Sequence, residues 1–144
     1  MLVQNILNSK EKAGIFWLDP SEVVSKAAQM MSDNRIGTII VSEDGTTPVG
    51  ILSERDIVRE LGKRGGAVLT ETIASMMTRK LVTTTVDRTA DQVLQTMTEG
   101  RFRHLPVIQD GKLIGLISIG DVVKARLSEL AMEKDALEGM VMGR

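Results

Sequence analysis

Two short stretches of this 144-residue chain place a hydroxyl group and a carboxylate at the same spacing. The first reads Val49-Gly50-Ile51-Leu52-Ser53-Glu54-Arg55-Asp56, and the second reads Ile114-Gly115-Leu116-Ile117-Ser118-Ile119-Gly120-Asp121. In each, a short apolar strand leads into Ser-x-x-Asp, which resembles a capping box at a helix start. The plain alternative is therefore a cap that stabilises its helix by about 1 kcal/mol. The functional alternative is a binding site, because a carboxylate accepts hydrogen bonds from ligand hydroxyls and a helix N-terminus attracts anions.

Further polar side chains interrupt apolar segments elsewhere in the chain. Thr83-Thr84-Thr85 suits either an edge strand or the hydroxyl-bearing wall of a pocket. Arg101 and Arg103 either bind phosphate oxygens or cover a solvated strand face. His104 is the only histidine, so it is either a satisfied buried side chain or a hydrogen-bond partner of a ligand. Arg55 occupies a first helical turn, where a nearby phosphate would explain a cation and plain exposure is the alternative.

The chain contains an internal repeat. Gly115 follows Gly50 by 65 residues, and an apolar helical stripe recurs at an offset of 66. The stripe consists of Val24, Ala27, Ala28 and Met31 in one copy and of Ala90, Val93, Leu94 and Met97 in the other. We therefore expect an α/β (α+β) fold of two helix–strand–strand–helix repeats, in residues 1–66 and 67–144, packed sheet against sheet about a pseudo-twofold axis. Neither unit of about 60 residues buries enough surface alone.

The pattern also predicts where the elements lie. A helix should open at Asp19-Pro20-Ser21, and strands should cover 36–41 and 102–108. Turns at 43–45 and 110–111 connect each of these strands to a second one. The helix after the first hairpin should start near Glu54 and stop at Gly62. Lead-in segments at 3–7 and 73–77 precede the two repeats.

Composition excludes several classes of function. The net charge of −1 and three aromatic residues argue against nucleic-acid binding. The absence of cysteine excludes a thiol nucleophile or a zinc–thiolate site, and one histidine excludes a metal site built on several. No apolar run reaches 18 residues, and the start of the chain lacks a signal-peptide pattern, so we expect a cytoplasmic protein without a membrane span. With no nucleophile elbow or phosphate-binding Gly-Lys-Ser/Thr loop, we expect no enzyme.

The duplicated Gly-aliphatic-aliphatic-Ser-x-x-Asp motif resembles that of a tandem pair of CBS (cystathionine β-synthase) domains, known as a Bateman module. Leu105-Pro106-Val107 and Ser75-Met76-Met77-Thr78 also match the family, whereas Ile39-Ile40-Val41 departs from it. The likeness covers nearly the whole chain. Two segments, Glu54-Arg55-Asp56 and Gly100-Arg101-Phe102-Arg103-His104, are similar to those of small bacterial proteins of this kind.

The resemblance implies that the chain binds AMP, ATP or NAD without a metal and regulates an unidentified partner protein as a homodimer. It implies that the carboxylate of Asp56 or Asp121 holds the two ribose hydroxyls and that helix starts hold phosphate. Two alternatives remain: a structural dimerisation module with vestigial clefts, or a sensor of NAD(H), S-adenosylmethionine or a guanine nucleotide. The nucleotide-binding candidates are Ser118, Asp121, Thr83, Thr84, Thr85, Arg103, His104, Arg101, Ser53, Arg55, Asp56 and Thr38.

We expect one nucleotide-binding cleft beside each Ser-x-x-Asp motif, and we expect the two to differ in affinity. Aligned at offset 66, Arg103-His104 falls opposite Gly37-Thr38, and Thr83-Thr84-Thr85 falls opposite Trp17-Leu18-Asp19. An anionic phosphate should therefore prefer the cleft of Asp121, because Asp19 would repel it in the other.

Overall fold

The structure is a computed structural model that describes residues 1–10 and 15–142. These residues form two compact units, each assembled from segments that are distant in sequence. The first-repeat unit contains the described part of Gly14–Val82 together with Asp110–Ile114. The second-repeat unit contains Thr83–Gln109 and the described parts of Met1–Ala13 and Gly115–Arg144.

The described elements confirm a mixed α and β fold with two helix–strand–strand repeats. In chain order they are α1 (Val3–Ser9), β1 (Trp17–Leu18), α2 (Val24–Asn34), β2 (Thr38–Ser42), β3 (Pro48–Ser53), α3 (Glu54–Arg64), a 3₁₀ helix (Gly66–Thr70), α4 (Ile73–Met76), α5 (Ala90–Gly100), β4 (His104–Gln109), β5 (Lys112–Ser118) and α6 (Ile119–Val141). The pseudo-twofold packing of the repeats and the division at residue 66 stay predictions.

The first-repeat unit is built on a three-stranded sheet. Its central strand β2 pairs parallel to β1 and antiparallel to β3. All five side chains of β2 are buried, and Ile39 and Val41 pack into a core that includes the predicted stripe of α2. Val24, Ala27 and Met31 of that stripe are buried, and Ala28 is partly buried. The helical periodicity therefore identified the face of α2 that packs inward.

Several predicted boundaries were wrong, including that of the first strand, which begins at Thr38 and not at residue 36. Asp19 forms a turn before α2 instead of opening it, because its Oδ1 accepts hydrogen bonds from the N–H and hydroxyl groups of Ser21. The helix α3 continues through Gly62 to Arg64 and ends at Gly65, whose φ of +81° suits a glycine. In the second repeat the strand begins at His104, because Arg101 adopts a left-handed conformation at the end of α5.

The repeats are equivalent in their hydrogen-bonded frames. In the first-repeat unit Leu18 lies opposite Val41 in a parallel pair. In the second-repeat unit Thr84 lies opposite Val107, again in parallel, which is the same pair 66 residues later. This confirms the alignment of the two repeats at that offset.

Each unit is completed by a lead-in segment from outside its own repeat. Leu2, just before α1, pairs with Thr89 at the start of α5. Thr72, just before α4, pairs with Val23 at the start of α2. The lead-in of the first half of the chain therefore belongs to the second-repeat unit, and the segment that follows α3 closes the first-repeat unit.

The two motif glycines provide the space for these lead-ins. A Cβ atom on Gly50 would lie 2.5 Å from Sδ of Met77 and 3.1 Å from the carbonyl oxygen of Thr78. A Cβ atom on Gly115 would lie 2.7 Å from Cδ2 of Leu7. The lead-ins therefore fill the space beside these glycines that a side chain would otherwise occupy.

Candidate functional site

The second Ser-x-x-Asp motif forms the N-terminus of α6. The Oγ atom of Ser118 accepts a hydrogen bond of 3.1 Å from the N–H of Asp121. In return, the N–H of Ser118 donates to Oδ2 of Asp121 at 2.8 Å. This reciprocal pair is a capping box, so the plain structural role of the motif is confirmed.

Asp121 also binds a lysine that the sequence did not indicate. The Nζ atom of Lys10 lies 2.9 Å from Oδ2 of Asp121 and donates a hydrogen bond of 2.7 Å to the carbonyl oxygen of Leu116. Oδ1 of Asp121 has no hydrogen-bond partner among the described residues, and 26% of the side chain is exposed. The carboxylate therefore has one oxygen committed to the protein and one available to accept hydroxyl groups.

The pKa of Asp121 is set by opposing effects. Burial raises it, but hydrogen bonds from the N–H of Ser118 and from Lys10, together with the lysine charge, outweigh burial and hold the pKa below its usual value. A depressed pKa means that the folded state binds fewer protons than the unfolded state. Asp121 therefore stabilises the fold above about pH 3.9, and this contribution is lost as the pH falls through the lowered pKa.

Replacing Lys10 by Met should raise the pKa of Asp121. The substitution removes the ammonium group but keeps an apolar stem of similar length, so burial of the carboxylate is opposed by fewer hydrogen bonds. Carbon-detected NMR titration of the Asp121 carboxyl group measures this directly. The matched control is Lys80→Met, because Lys80 is an exposed lysine 70 residues later in the other lead-in. An Asp121 pKa that is equal in both variants would refute the assignment of Lys10.

The backbone brings Arg103 to the same helix end. The N–H of Ile119, the first residue of α6, donates to the carbonyl oxygen of Arg103 at 2.8 Å. His104 follows as the half-buried first residue of β4. Thr84 lies along the next part of β4, since its N–H donates to Pro106 at 2.9 Å. Parts of three predicted segments thus converge on one edge of the second-repeat unit.

The start of α6 offers less backbone to an anion than its sequence suggests. The N–H of Ile119 is bonded to Arg103 and that of Asp121 to Ser118. Among the described residues, the N–H of Gly120 has no cap or loop acceptor. A phosphate here would therefore depend on the cationic side chains of Lys10 and Arg103 as well as on one backbone donor.

The first motif repeats this frame with different charges. The box of Ser53 and Asp56 is closed by hydrogen bonds of 3.2 and 3.0 Å, and the N–H of Glu54 donates to the carbonyl oxygen of Gly37 at 2.9 Å. Oδ1 of Asp56 is occupied by Arg59 at 3.1 Å. The Glu54 carboxylate covers Gly37, where Oε1 would lie 3.1 Å from an added Cβ. This edge is therefore less suited to an anion than the edge at Asp121.

The remaining predicted residues have varied surroundings. Thr38 is buried and lies opposite Ser53 in the β2–β3 register, so it belongs to the first edge. Thr84 is buried, whereas Thr83 and Thr85 are exposed. The hydroxyl of Thr85 donates to Asp87, and this bond lowers the pKa of Asp87.

Arg101 and Arg55, like Arg103, are exposed. Arg101 ends α5, and Arg55 lies within the first turn of α3. Nothing in the described contacts joins either side chain to a Ser-x-x-Asp motif, so their assignment to a site stays a prediction.

Metal binding and membrane insertion have no counterpart in the described residues. Within 1–10 and 15–142, no group of three or more His, Cys, Asp or Glu side chains is placed to hold a metal ion. No helix in these ranges combines the length and apolar character needed to cross a membrane.

Known proteins share this sequence and fold. The CBS domain family model matches residues 12–63 and 73–128. The mitochondrial CBS domain-containing protein CBSX3 of Arabidopsis thaliana is 31% identical over 98% of this chain and 72% of its own. A CBS-domain containing protein from Agrobacterium tumefaciens has a TM-score of 0.83 and 36% identity, covering 88% of this chain and 99% of that one.

A more distant structure shares the fold at a TM-score of 0.77 and 23% identity, covering 90% of this chain and 98% of its own. It is the CBS domain pair of protein MJ0100 in complex with 5′-methylthioadenosine and S-adenosyl-L-methionine. Because the family model matches two segments that together make up most of the sequence, the chain belongs to the CBS domain family and carries two CBS repeats.

Proposed function

We propose that this chain is a cytoplasmic regulatory protein that binds an adenine nucleotide, namely AMP, ATP or NAD, beside the Ser118–Asp121 motif. The observation that carries the proposal is the arrangement around Asp121. One carboxylate oxygen is held by the cap and Lys10, and the other is available to accept two hydroxyl groups. Lys10 adds one positive charge at this helix end, and the exposed Arg103 is anchored beside it through its backbone carbonyl group.

The expected binding mode follows from this geometry. The ribose hydroxyls donate to Oδ1 of Asp121, and the phosphate lies against the N–H of Gly120 and the cations. Few aromatic residues are available, so aliphatic side chains and backbone groups hold the adenine ring. Adenosine-containing ligands in the MJ0100 complex support the choice of ligand class.

The output is regulatory and not catalytic in this proposal. The nucleotide biases a homodimer between two conformations, and an unidentified partner protein distinguishes them. Such a shift requires that the ligand bind one conformation more tightly than the other. A single histidine and the absence of cysteine also leave few groups for covalent chemistry.

A structural dimerisation module is the second candidate, and a specific observation favours it. Both Ser-x-x-Asp motifs are fully formed capping boxes, and Lys10 forms an ion pair with Asp121 within the protein. In this case the two carboxylates serve folding alone.

A thermal-shift screen separates these candidates. The panel contains AMP, ATP, NAD(H), S-adenosylmethionine and GMP, each at several concentrations. A ligand present at about 100 times its Kd should stabilise the chain by about 2.7 kcal/mol. We expect the largest shift with an adenine nucleotide. A larger shift with S-adenosylmethionine or GMP would redirect the ligand assignment, and no shift with any compound would favour the structural module.

A further inference from the structure

The last helix extends well beyond the part of the chain that it helps to bury. Helix α6 spans 23 residues, or about 34 Å, but its buried residues are Val122 and Ala125 in its first two turns. The family match ends at residue 128. After Glu129 the helix contributes no buried side chain among the described residues. Even the apolar side chains of Leu137 and Val141 are 62% and 87% exposed.

Five exposed apolar residues of α6 and one lysine follow a regular pattern that we call the α6 seam, whereas the exposed Met132 and Met140 lie outside it. Its members, spaced alternately by four and three residues, are Val123, Leu127, Leu130, Lys134, Leu137 and Val141. This is the a/d spacing of a coiled coil, with Lys134 at one a position. At about 100° per residue, the seam lies roughly 130° around the helix from the face that contains Val122 and Ala125. Between Leu130 and Met142 the side chains of α6 line a shallow, open groove along the seam.

We propose that the α6 seam binds the α6 seam of a second copy of this chain as an antiparallel two-stranded coiled coil. The register that pairs a with d positions places Leu127 against the partner subunit's Leu137 and Val123 against the partner subunit's Val141. Leu130 then packs on the stem of the partner subunit's Lys134, whose ammonium group extends to solvent.

Charge complementarity favours the antiparallel orientation. In this register the flanking Lys124 lies beside the partner subunit's Glu138, and the twofold symmetry makes this attractive pair occur twice, whereas Glu133 meets the partner subunit's Glu133 in a single repulsive pair. A parallel pair would instead place Lys134 against the partner subunit's Lys134 in the same core layer. It would also bring Glu133 next to the partner subunit's Glu138 twice, and both contacts are repulsive.

The acidic flanks also argue against a lipid surface as the occupant. Glu133 and Glu138 line the groove beside Lys134, and an anionic membrane surface would repel them. The proposed interface does not depend on nucleotide binding, so its failure would leave the thermal-shift result unaffected.

Engineered disulfides test the orientation in the full chain, which contains no cysteine. In the antiparallel register Leu127 lies opposite the partner subunit's Leu137. The two copies of Leu127 are then about 15 Å apart along the axis, beyond the ~7 Å Cα limit of a disulfide. The Leu127→Cys/Leu137→Cys double variant should therefore oxidise to a covalent dimer, whereas each single variant should not. The matched control is Ser128→Cys/Asp135→Cys, exposed and on the opposite side of the helix.

Sedimentation of the unmodified chain at micromolar concentration completes the test. We expect a dimer, and we expect Leu137→Glu to raise its dissociation constant at least tenfold while Ser128→Glu leaves it unchanged. Disulfide formation by either single variant would establish a parallel arrangement and overturn the proposal. A dimer that forms no disulfide in the double variant would place the interface elsewhere, and a monomeric chain would also refute the inference.

Discussion

Asp121→Ala should weaken nucleotide binding by about 10- to 150-fold, whereas Asp56→Ala should leave the tightest site nearly intact. The expected loss is that of one charge-assisted hydrogen-bonding contact, about 1.5–3 kcal/mol. Titration calorimetry on both variants measures the two affinities.

The physical reason for this difference lies in the groups around the two motifs. In the second motif the backbone of Arg103 lies beside the start of α6, and Gly120 immediately precedes Asp121. In the first motif the equivalent residues are Gly37 and Arg55, and the carboxylate of Glu54 packs against Gly37. The second oxygen of Asp56 is also bound by Arg59.

The two variants are matched controls for each other. Both lose the same type of capping box, so both should lose about 1 kcal/mol of stability. Ser118→Ala weakens the cap of α6 but leaves the carboxylate in place, so its nucleotide affinity should stay close to that of the unmodified chain. If Asp56→Ala abolishes the tight phase and Asp121→Ala does not, the two sites are assigned the wrong way round.

Gly50→Ala should destabilise the first-repeat unit by about 1–3 kcal/mol. The added methyl group would meet Sδ of Met77 at 2.5 Å and the backbone oxygen of Thr78 at 3.1 Å. That oxygen is held in place because Thr78 and Ile51 exchange two backbone hydrogen bonds of 3.0 and 2.9 Å. Urea unfolding measures the change in free energy. Gly115→Ala should likewise lower the stability of the second-repeat unit, because the added methyl group would meet Leu7.

The cause of this effect can be separated from a general effect of losing a glycine. Gly62 lies inside α3 with no atom within 4 Å of an added Cβ, so Gly62→Ala should stabilise the chain by about 0.5–1 kcal/mol. A double-mutant cycle of Gly50→Ala with Met77→Ala should show coupling, and the cycle with Leu7→Ala should not. Additive free energies in the Met77 cycle would show that the lead-in does not pack on Gly50.

The repeat, the capping boxes and the buried face of α2 were predictable because they depend on short-range patterns. A sequence alignment of the repeats at an offset of 66 residues makes Thr84 equivalent to Leu18, and the strand pairs of the two units agree with that alignment. Cap geometry follows from Ser-x-x-Asp within a single helical turn.

The ion pair of Lys10 was not predictable from the same patterns. Its partner is 111 residues away, and local periodicity does not indicate to which repeat a lead-in attaches. The lead-ins were predicted at 3–7 and 73–77, but they align at an offset of 70, from Leu2 to Thr72, so the alignment of the helices at 66 did not show where each one packs. Packing of each lead-in against a motif glycine decides the arrangement, and that contact depends on the assembled structure.

The most direct test of the central claim is an amide NMR titration of the isotope-labelled chain with AMP. The account predicts saturable shift changes concentrated at Arg103, Ser118, Gly120 and Asp121, with much smaller changes at Ser53 and Asp56. Changes confined to the Ser53–Asp56 edge, or no saturable change at millimolar AMP, would contradict binding of an adenine nucleotide beside Asp121.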